Sequence, residues 1–275
     1  MTQSNPYIDS SYGTYQGGEL EHLYGDKFHV LADPFLLTLL GELCTDVCIQ
    51  PRVSQLARAL YEHLLRVVVN QEFAHKQNTI TTRMAESSDR GQWTGQTIDA
   101  STKVVTVDIA RAGMLPSQVC FETLSGLIEA SNVRQDHAIM ARTTDADGHV
   151  TGAHFGESKI GGDVDEAIVL LPDPMGATGS SISKAITHYK NEVEGKASKY
   201  ICMNLIITPE YLKTLKEDHP DVIVYALRLD RGASSPEILA TTPGTHWDQE
   251  SGLTDIQYII PGGGGFGEVL NNSYC

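Results

Sequence analysis

The segment IVLLPDPMGATGSS (residues 168–181) passes from an apolar run into a loop with few large side chains. Residues 168–171 have the composition of a buried strand, and helix-like sequence follows Ser181. Small residues let backbone amides converge on an anion, and the N-terminus of a helix adds partial positive charge. The segment therefore predicts a strand, a phosphate-binding loop and a helix.

The polar groups of this loop narrow the class of ligand that it can bind. Thr178, Ser180 and Ser181 offer hydroxyls to phosphate oxygens, and the single acid, Asp173, suits ribose hydroxyls or a hydrated Mg²⁺. The loop lacks the G-x-x-x-x-G-K-[ST] pattern of nucleoside triphosphatases and the G-x-G-x-x-G pattern of dinucleotide binding. A sugar monophosphate fits it better, and the alternative is a plain strand-to-helix turn beginning at Asp-Pro.

Apolar strands alternate with helices along the rest of the chain. We expect strands at 104–109, 137–141, 168–171, 200–207 and 222–227, and helices at 34–44, 53–73, from 116, at 179–193 and at 209–216. This order predicts an α/β fold with a mostly parallel sheet and helices on both faces. Ligands of such folds bind at the carboxyl ends of the strands, which brings residues 111–113 and 173–181 together.

Composition excludes several classes of protein. The chain has 275 residues, and its formal net charge of −15 disfavours nucleic-acid binding, because phosphate backbones attract basic surfaces. No apolar run is long enough to suggest a membrane span. The five cysteines are odd in number and widely spaced, which favours a reducing cytoplasm, and Cys44 and Cys48 are assigned to packing rather than to a metal site.

The chain divides into a flexible N-terminal arm over residues 1–27 and one domain over residues 28–275. Within the domain, residues 84–101 are a polar insertion, and residues 143–162 form a hairpin or flap. Residues 228–275 are mostly loop and end in a glycine cluster. We expect the N-terminal helices and this tail to form a hood over the ligand edge of the sheet.

Five ordered motifs resemble one family. The pattern D-P-M-x-A-T-G-x-S at 173–181 resembles the loop of uracil phosphoribosyltransferases that binds phosphoribosyl diphosphate (PRPP). The segments VDIARAGML (107–115), IMAR (139–142), TPEYLKTLKEDHPDVIVYALRLD (208–230) and YIIPGGGGFGE (258–268) are similar to further segments of that family, in the same order. The resemblance covers about residues 100–270 and implies the type I phosphoribosyltransferase fold.

The resemblance implies transfer of 5-phosphoribose from PRPP to uracil through an oxocarbenium-like transition state, giving UMP and pyrophosphate. It also implies Mg²⁺ bound with PRPP, a cytoplasmic enzyme of pyrimidine salvage, and a homodimer or higher homo-oligomer.

The same resemblance assigns roles to individual residues. Arg111 and Arg142 correspond to the arginines that bind the diphosphate, and Asp173 joins them as the third catalytic residue. The residues assigned to PRPP are Arg111, Ala112, Gly113, Arg142, Asp173, Pro174, Met175, Gly176, Ala177, Thr178, Gly179, Ser180 and Ser181. Those assigned to uracil are Ile259, Gly264, Gly265 and Phe266. Relatives often have an unusual peptide bond next to the first arginine.

The tail departs from the family pattern. Gly265 stands where the family has an aspartate, and Glu268 replaces a second aspartate. Thr143 and Thr144 follow Arg142 in place of Asn-Glu, the terminal Phe-Gly-Thr is absent, and residues 231–257 are longer than expected. Two alternatives therefore stay open beside uracil transfer: a phosphoribosyltransferase for another base, and a non-catalytic relative that binds PRPP.

Overall fold

The structure is a computed structural model that describes residues 7–8, 15, 17–144 and 150–274. Side chains of residues 7–8, 141–155 and 157 lie outside its described part. The strands are β1 (Tyr7–Ile8), β2 (Phe28–Val30), β3 (His75–Thr81), β4 (Gln92–Ile98), β5 (Val104–Ala110), β6 (Val133–Thr144), β7 (Val150–Lys159), β8 (Ile168–Pro172), β9 (Met175–Gly176), β10 (Lys199–Ile207) and β11 (Ile223–Leu229). The helices are α1 (Pro34–Leu43), α2 (Arg52–Glu72), α3 (Met114–Ser125), α4 (Ser180–Asn191), α5 (Pro209–Asp218), α6 (Pro236–Leu239) and α7 (Phe266–Val269).

The central sheet has the strand order β2-β11-β10-β8-β5-β6-β7, with β9 paired to β10. Its pairings are parallel except that of β6 with β7. Val104 pairs with both Val133 and Ile168, so the carboxyl ends of β5, β6 and β8 share one edge. The predicted α/β class with a mostly parallel sheet is confirmed.

Side chains of the central strands alternate between two apolar clusters. In β8, Ile168 and Leu170 pack in the cluster with α1, α2 and α3, whereas Val169 and Leu171 pack in the cluster with α4 and α5. Burial on both faces accounts for the continuous apolar composition of this strand. Helices therefore cover both faces of the sheet, as predicted.

The N-terminal helices follow the predicted pattern. The Asp33 carboxylate accepts from the amide of Leu36 at 3.1 Å and caps α1. Leu56 and Leu60 lie on the buried stripe of α2. Ile259 and Phe266 of the tail belong to the same apolar cluster as these two helices, so the tail lies beside them.

The polar segments form hairpins. β6 pairs antiparallel with β7 across the predicted flap. β6 is longer than the predicted strand at 137–141, because residues 133–136 pair with β5 and residues 142–144 pair with β7. The polar insertion at 84–101 contains β4, which pairs with β3 and β1 in a separate three-stranded sheet. Among the described residues, no helix is both long and apolar enough to cross a bilayer.

The predicted arm over residues 1–27 is in part a piece of the domain. Tyr24 is fully buried, and its hydroxyl donates to Glu250. The amide of Leu23 donates to the carbonyl of Pro243 at 2.8 Å. Apolar burial of Tyr24 explains why residues 17–27 pack on the domain despite their polar composition, and residues 1–6, 9–14 and 16 lie outside the described part.

Candidate active site

A cleft of about 540 Å³ opens at the carboxyl edge of the sheet. It is bounded by the end of β5, the loop after β8, the start of α4 and the tail. Its lining residues include Arg111, Ala112, Asp173, Met175, Ala177, Thr178, Gly179, Ser180, Ser181, Tyr211, Gln257, Tyr258, Ile259, Gly264, Gly265, Phe266 and Glu268. The topology thus brings together most of the residues assigned to PRPP and all four assigned to uracil.

Arg111 lies where β5 turns into α3, and the Ala110–Arg111 peptide is cis. Its Nη1 donates to the carbonyl oxygen and to the Oγ of Ser273, each at 3.0 Å. Its Nη2 lies 3.7 Å from Glu268 Oε1. The guanidinium, which has the planar fork suited to phosphate, is therefore held at the cleft wall by groups of the tail.

Gly113 supports this turn without lining the cleft. A Cβ there would lie 2.8 Å from the backbone nitrogen and oxygen of Ile109 and 3.2 Å from the carbonyl oxygen of Pro172. Any side chain would push the turn away from β5 and β8. Gly113 thus sets the backbone position on which Arg111 depends.

Asp173 is the acid of the loop after β8. Its Oδ1 accepts from the amide of Met175 at 3.3 Å, and its carbonyl oxygen accepts from Asn204 Nδ2 at 2.7 Å. Burial raises the pKa of its carboxyl group to about 6, and the hydrogen bond from Met175 opposes that shift. The carboxylate is thus poorly solvated until a ligand offers it donors.

The carbonyl oxygens of the loop point toward β10 and α5. Those of Pro174 and Gly176 accept from the amides of Ile206 and Thr208, at 3.0 and 3.1 Å. Those of Ala177 and Thr178 accept from the hydroxyls of Thr208 and Thr214, at 2.7 and 2.8 Å. The amides of Met175 and Ala177 donate within the loop, to Asp173 Oδ1 and to the carbonyl oxygen of Met175. Because a peptide carbonyl and amide point in opposite directions, the amides of Thr178 and Gly179 are directed away from α5 and toward the cleft.

The loop ends at the N-terminus of α4. Gly179 adopts a φ of +81°, and a Cβ at this position would lie 3.0 Å from Thr214 Cβ. The hydroxyl oxygens of Thr178 and Ser180 lie 3.2 Å apart at the N-terminus of α4. Two hydroxyls and a helix N-terminus form a site for an anion of phosphate size.

The tail forms the opposite wall of the cleft. Ile259 and Phe266 are buried, and Gly264 has a φ of +81°. Arg228 holds the turn at Gly262, which precedes Gly264, because its Nη2 donates to the carbonyl oxygen of Gly262 at 2.8 Å. Asp230 accepts from the amide of Gly262 at 2.8 Å and pairs with Arg228 through two hydrogen bonds.

Several assigned residues take supporting places. Pro174 and Gly176 lie on the side of the loop that faces β10 and α5. A Cβ on Gly176 would lie 3.0 Å from Ile207 and Tyr211. Arg142 is on β6, and its side chain lies outside the described residues. Its assignment to the diphosphate stays a prediction.

The sequence analysis assigns no role to four residues that shape the site, although it names Glu268. Ser273 and Glu268 contact Arg111, and Arg228 and Asp230 fix the turn of the tail. The Arg-x-Asp spacing at the end of β11 is the available signal for the second pair. No local signal links Ser273 to an arginine 162 positions earlier in the chain.

The donor set bears on a metal ion. In the described part of the chain, no group of three or more acidic, histidine or cysteine side chains is arranged to hold a metal. Asp173 and Glu268 are the carboxylates lining the cleft. Oxygen ligands of this kind suit Mg²⁺ that arrives with a phosphorylated substrate and keeps water and substrate oxygens as its other ligands.

Comparisons with known proteins identify the family of the chain. A family model described as uracil phosphoribosyltransferase matches residues 33–246. A uracil phosphoribosyltransferase of Rhodococcus jostii is 32% identical over 178 residues, which are 64% of this chain and 68% of that protein. One of Caldanaerobacter subterraneus is 33% identical over 112 residues, which are 41% of this chain and 42% of that protein, so this match spans less than half of the relative.

A solved structure supports the fold. The AQ2163 protein of Aquifex aeolicus superposes with a TM-score of 0.66 over 89% of this chain and 97% of that chain. The two sequences are 18% identical, so this likeness concerns the fold alone.

Proposed function

Because the chain belongs to the uracil phosphoribosyltransferase family, we propose that it transfers 5-phosphoribose from PRPP to uracil. The C1–oxygen bond to diphosphate breaks, a bond from a uracil nitrogen to C1 forms, and that nitrogen loses its proton. The products are UMP and pyrophosphate. The observation that carries the proposal is one cleft lined by Arg111, Asp173 and the loop at the start of α4.

Three demands of this reaction match the cleft. The 5-phosphate needs amides and hydroxyls, which the 173–181 loop and the N-terminus of α4 supply. The departing diphosphate gains negative charge, and the Arg111 guanidinium is fixed at the cleft wall to meet it. The sugar gains positive charge at C1, and the Asp173 carboxylate is suited to hold the ribose hydroxyls of this oxocarbenium-like state.

Mg²⁺ fits this account as a partner of PRPP. When bound, the ion neutralises part of the charge on the diphosphate. Asp173 is the protein carboxylate we assign to it or to its water ligands. Arg111, the loop amides and the hydroxyls of Thr178 and Ser180 then hold the phosphate groups in place.

The base is assigned to the tail. Ile259 and Phe266 supply apolar contact, and the backbone of Gly264 and Gly265 supplies hydrogen bonds to the edge of uracil. The β6–β7 hairpin is assigned to closing the cleft, since water must be excluded from the activated sugar. Association of identical chains and a cytoplasmic location belong to this proposal as well.

The test is product analysis with a panel of bases. PRPP carrying a radiolabel in its ribose is incubated with Mg²⁺ and, separately, uracil, cytosine, thymine, adenine and hypoxanthine. Labelled UMP formed from uracil, at a rate at least about tenfold above any other base, supports the proposal. A different labelled nucleotide would assign another acceptor, and binding of PRPP without any product would identify a non-catalytic relative.

A further inference from the structure

The side chain of Glu268 folds back over Gly265. A Cβ built on Gly265 would lie 1.8 Å from Glu268 Oε2 and 2.9 Å from Glu268 Cδ. The Glu268 carboxylate therefore fills the space in which a side chain at position 265 would begin. A side chain at position 265 therefore requires the Glu268 carboxylate to leave this place.

The same carboxylate contacts Arg111. Glu268 Oε1 lies 3.7 Å from Arg111 Nη2, and the two side chains are 31% and 35% exposed. Ser273 accepts from Nη1 of the same guanidinium. The tail thus restrains both terminal nitrogens of Arg111. Because the side chain is already ordered, it loses less conformational entropy when it binds phosphate than a freely rotating arginine would.

The length of the side chain matters for this contact. Position 265 carries no side chain, and the side chain of Glu268 is long enough for its carboxylate to reach back across the turn into the space beside Gly265. From that place the carboxylate also lies next to the Arg111 guanidinium.

We propose that Glu268 is a positioning residue for Arg111 and that Gly265 is the residue that makes room for it. The inference deepens the proposed function and rests on it, since the role of Arg111 is to bind the diphosphate of PRPP. If the carboxylate is removed from position 268 and an aspartate is placed at position 265, the new carboxylate restrains Arg111 in its place.

The test is a double-mutant cycle on PRPP binding by calorimetry, with Glu268→Ala, Gly265→Asp and the double variant. Each single change weakens binding about tenfold, because the Arg111 guanidinium loses both its ion pair with Glu268 and the side-chain ordering that this pair provides. Gly265→Asp collides with Glu268 in the native background. In the Glu268→Ala background the same change restores binding to within about threefold of the native protein.

Two controls separate this role from a general loss of structure. Exposed Glu62→Gln on α2 and Gly41→Ala on α1, where a Cβ meets nothing within 4 Å, leave PRPP binding unchanged. In Glu268→Ala, the KM for PRPP rises while the KM for uracil stays within about twofold, since Glu268 acts through Arg111.

A ligand-free readout keeps the inference testable if PRPP does not bind. Rotation of the Arg111 guanidinium, followed by side-chain nitrogen NMR and assigned with Arg111→Lys, speeds up in both single variants and slows again in the double variant. If the native protein binds no PRPP, the proposed function fails. The NMR measurements then still test whether a carboxylate at position 265 can replace that of Glu268 in restraining Arg111. Equal harm from Gly265→Asp in both backgrounds, or tighter PRPP binding by Glu268→Ala, overturns the inference.

Discussion

At the scale of single residues, the carboxylate of Asp173 lowers the stability of the unliganded protein but is suited to bind a ligand. Its pKa of about 6 lies above the ordinary value near 3.8, so the folded protein binds more protons than the unfolded chain between about pH 4 and pH 6. Stability therefore falls as the pH rises through that window, and the ionised carboxylate is a cost above pH 6. A ligand that donates to the carboxylate offsets this cost.

Asp173→Asn tests this conflict. We expect the variant to raise the free energy of unfolding at pH 7 by about 1–3 kcal/mol, because the neutral amide avoids the desolvated charge. Urea denaturation at pH 7 and pH 4 measures it, and the gain should vanish at pH 4. Exposed Asp26→Asn is the matched control with no gain. Unchanged stability of Asp173→Asn at pH 7 would contradict the assignment of a costly buried charge.

The loop between β8 and α4 depends on one backbone conformation at the scale of the element. Gly179 has a φ of +81°, which side chains other than glycine rarely adopt, and it lies against Thr214. Gly179→Ala should lower the free energy of unfolding by about 1–2 kcal/mol and weaken PRPP binding. Gly41→Ala, at an open position in the last turn of α1, should instead stabilise the protein slightly. The idea fails if Gly179→Ala is as stable as the native protein.

The turn of the tail depends on the paired hydrogen bonds between Arg228 and Asp230. Lysine keeps the charge of Arg228 but has one terminal nitrogen, so it cannot reproduce the two parallel hydrogen bonds to Asp230 together with the bond to the carbonyl of Gly262. We expect Arg228→Lys to raise the KM for uracil about tenfold and the Kd for PRPP by less than about threefold, since Glu268 and Ser273, which hold Arg111, lie beyond this turn and the loop at 173–181 is untouched. Steady-state kinetics and calorimetry check both values. A parallel loss of PRPP binding would show that the tail and the loop are not separable.

Some elements were predictable from local sequence and others were not. Strand β8, its loop and α4 follow one another directly, so apolar composition and small residues suffice to place them. The predicted strand at 137–141 is shorter than β6, because pairing with β5 extends β6 at its start and pairing with β7 extends it at its end. The role of Glu268 was missed for a similar reason: its partner Arg111 is far away in the chain, and only the folded tail brings them together.

The segment over residues 231–257 is fixed to the N-terminal part of the domain at the scale of the whole molecule. Glu250 is 5% exposed, and it accepts from the Tyr24 hydroxyl, from Arg231 at 3.0 Å and from the amide of Gly244. One carboxylate thus joins residues 17–27 to residues 231–257 of the tail.

Loss of this carboxylate should loosen both segments together. Glu250→Ala leaves Arg231 as a mostly buried charge without this partner and should cost about 3–5 kcal/mol in the free energy of unfolding. Glu250→Gln, which keeps the volume and an acceptor, should cost less. Limited proteolysis should cut faster within residues 231–257 in the alanine variant. Equal proteolysis of native and variant protein would refute a joining role.

The end of β5, the loop after β8 and the tail converge on one cleft at the carboxyl edge of the sheet. The most direct measurement is pyrophosphate release from PRPP with Mg²⁺, with and without uracil, in the native protein and in Arg111→Ala. We expect release that requires uracil and falls at least about a hundredfold in the variant, because the fixed guanidinium meets the charge of the leaving diphosphate. Release that ignores uracil, or that Arg111→Ala leaves intact, would contradict the account.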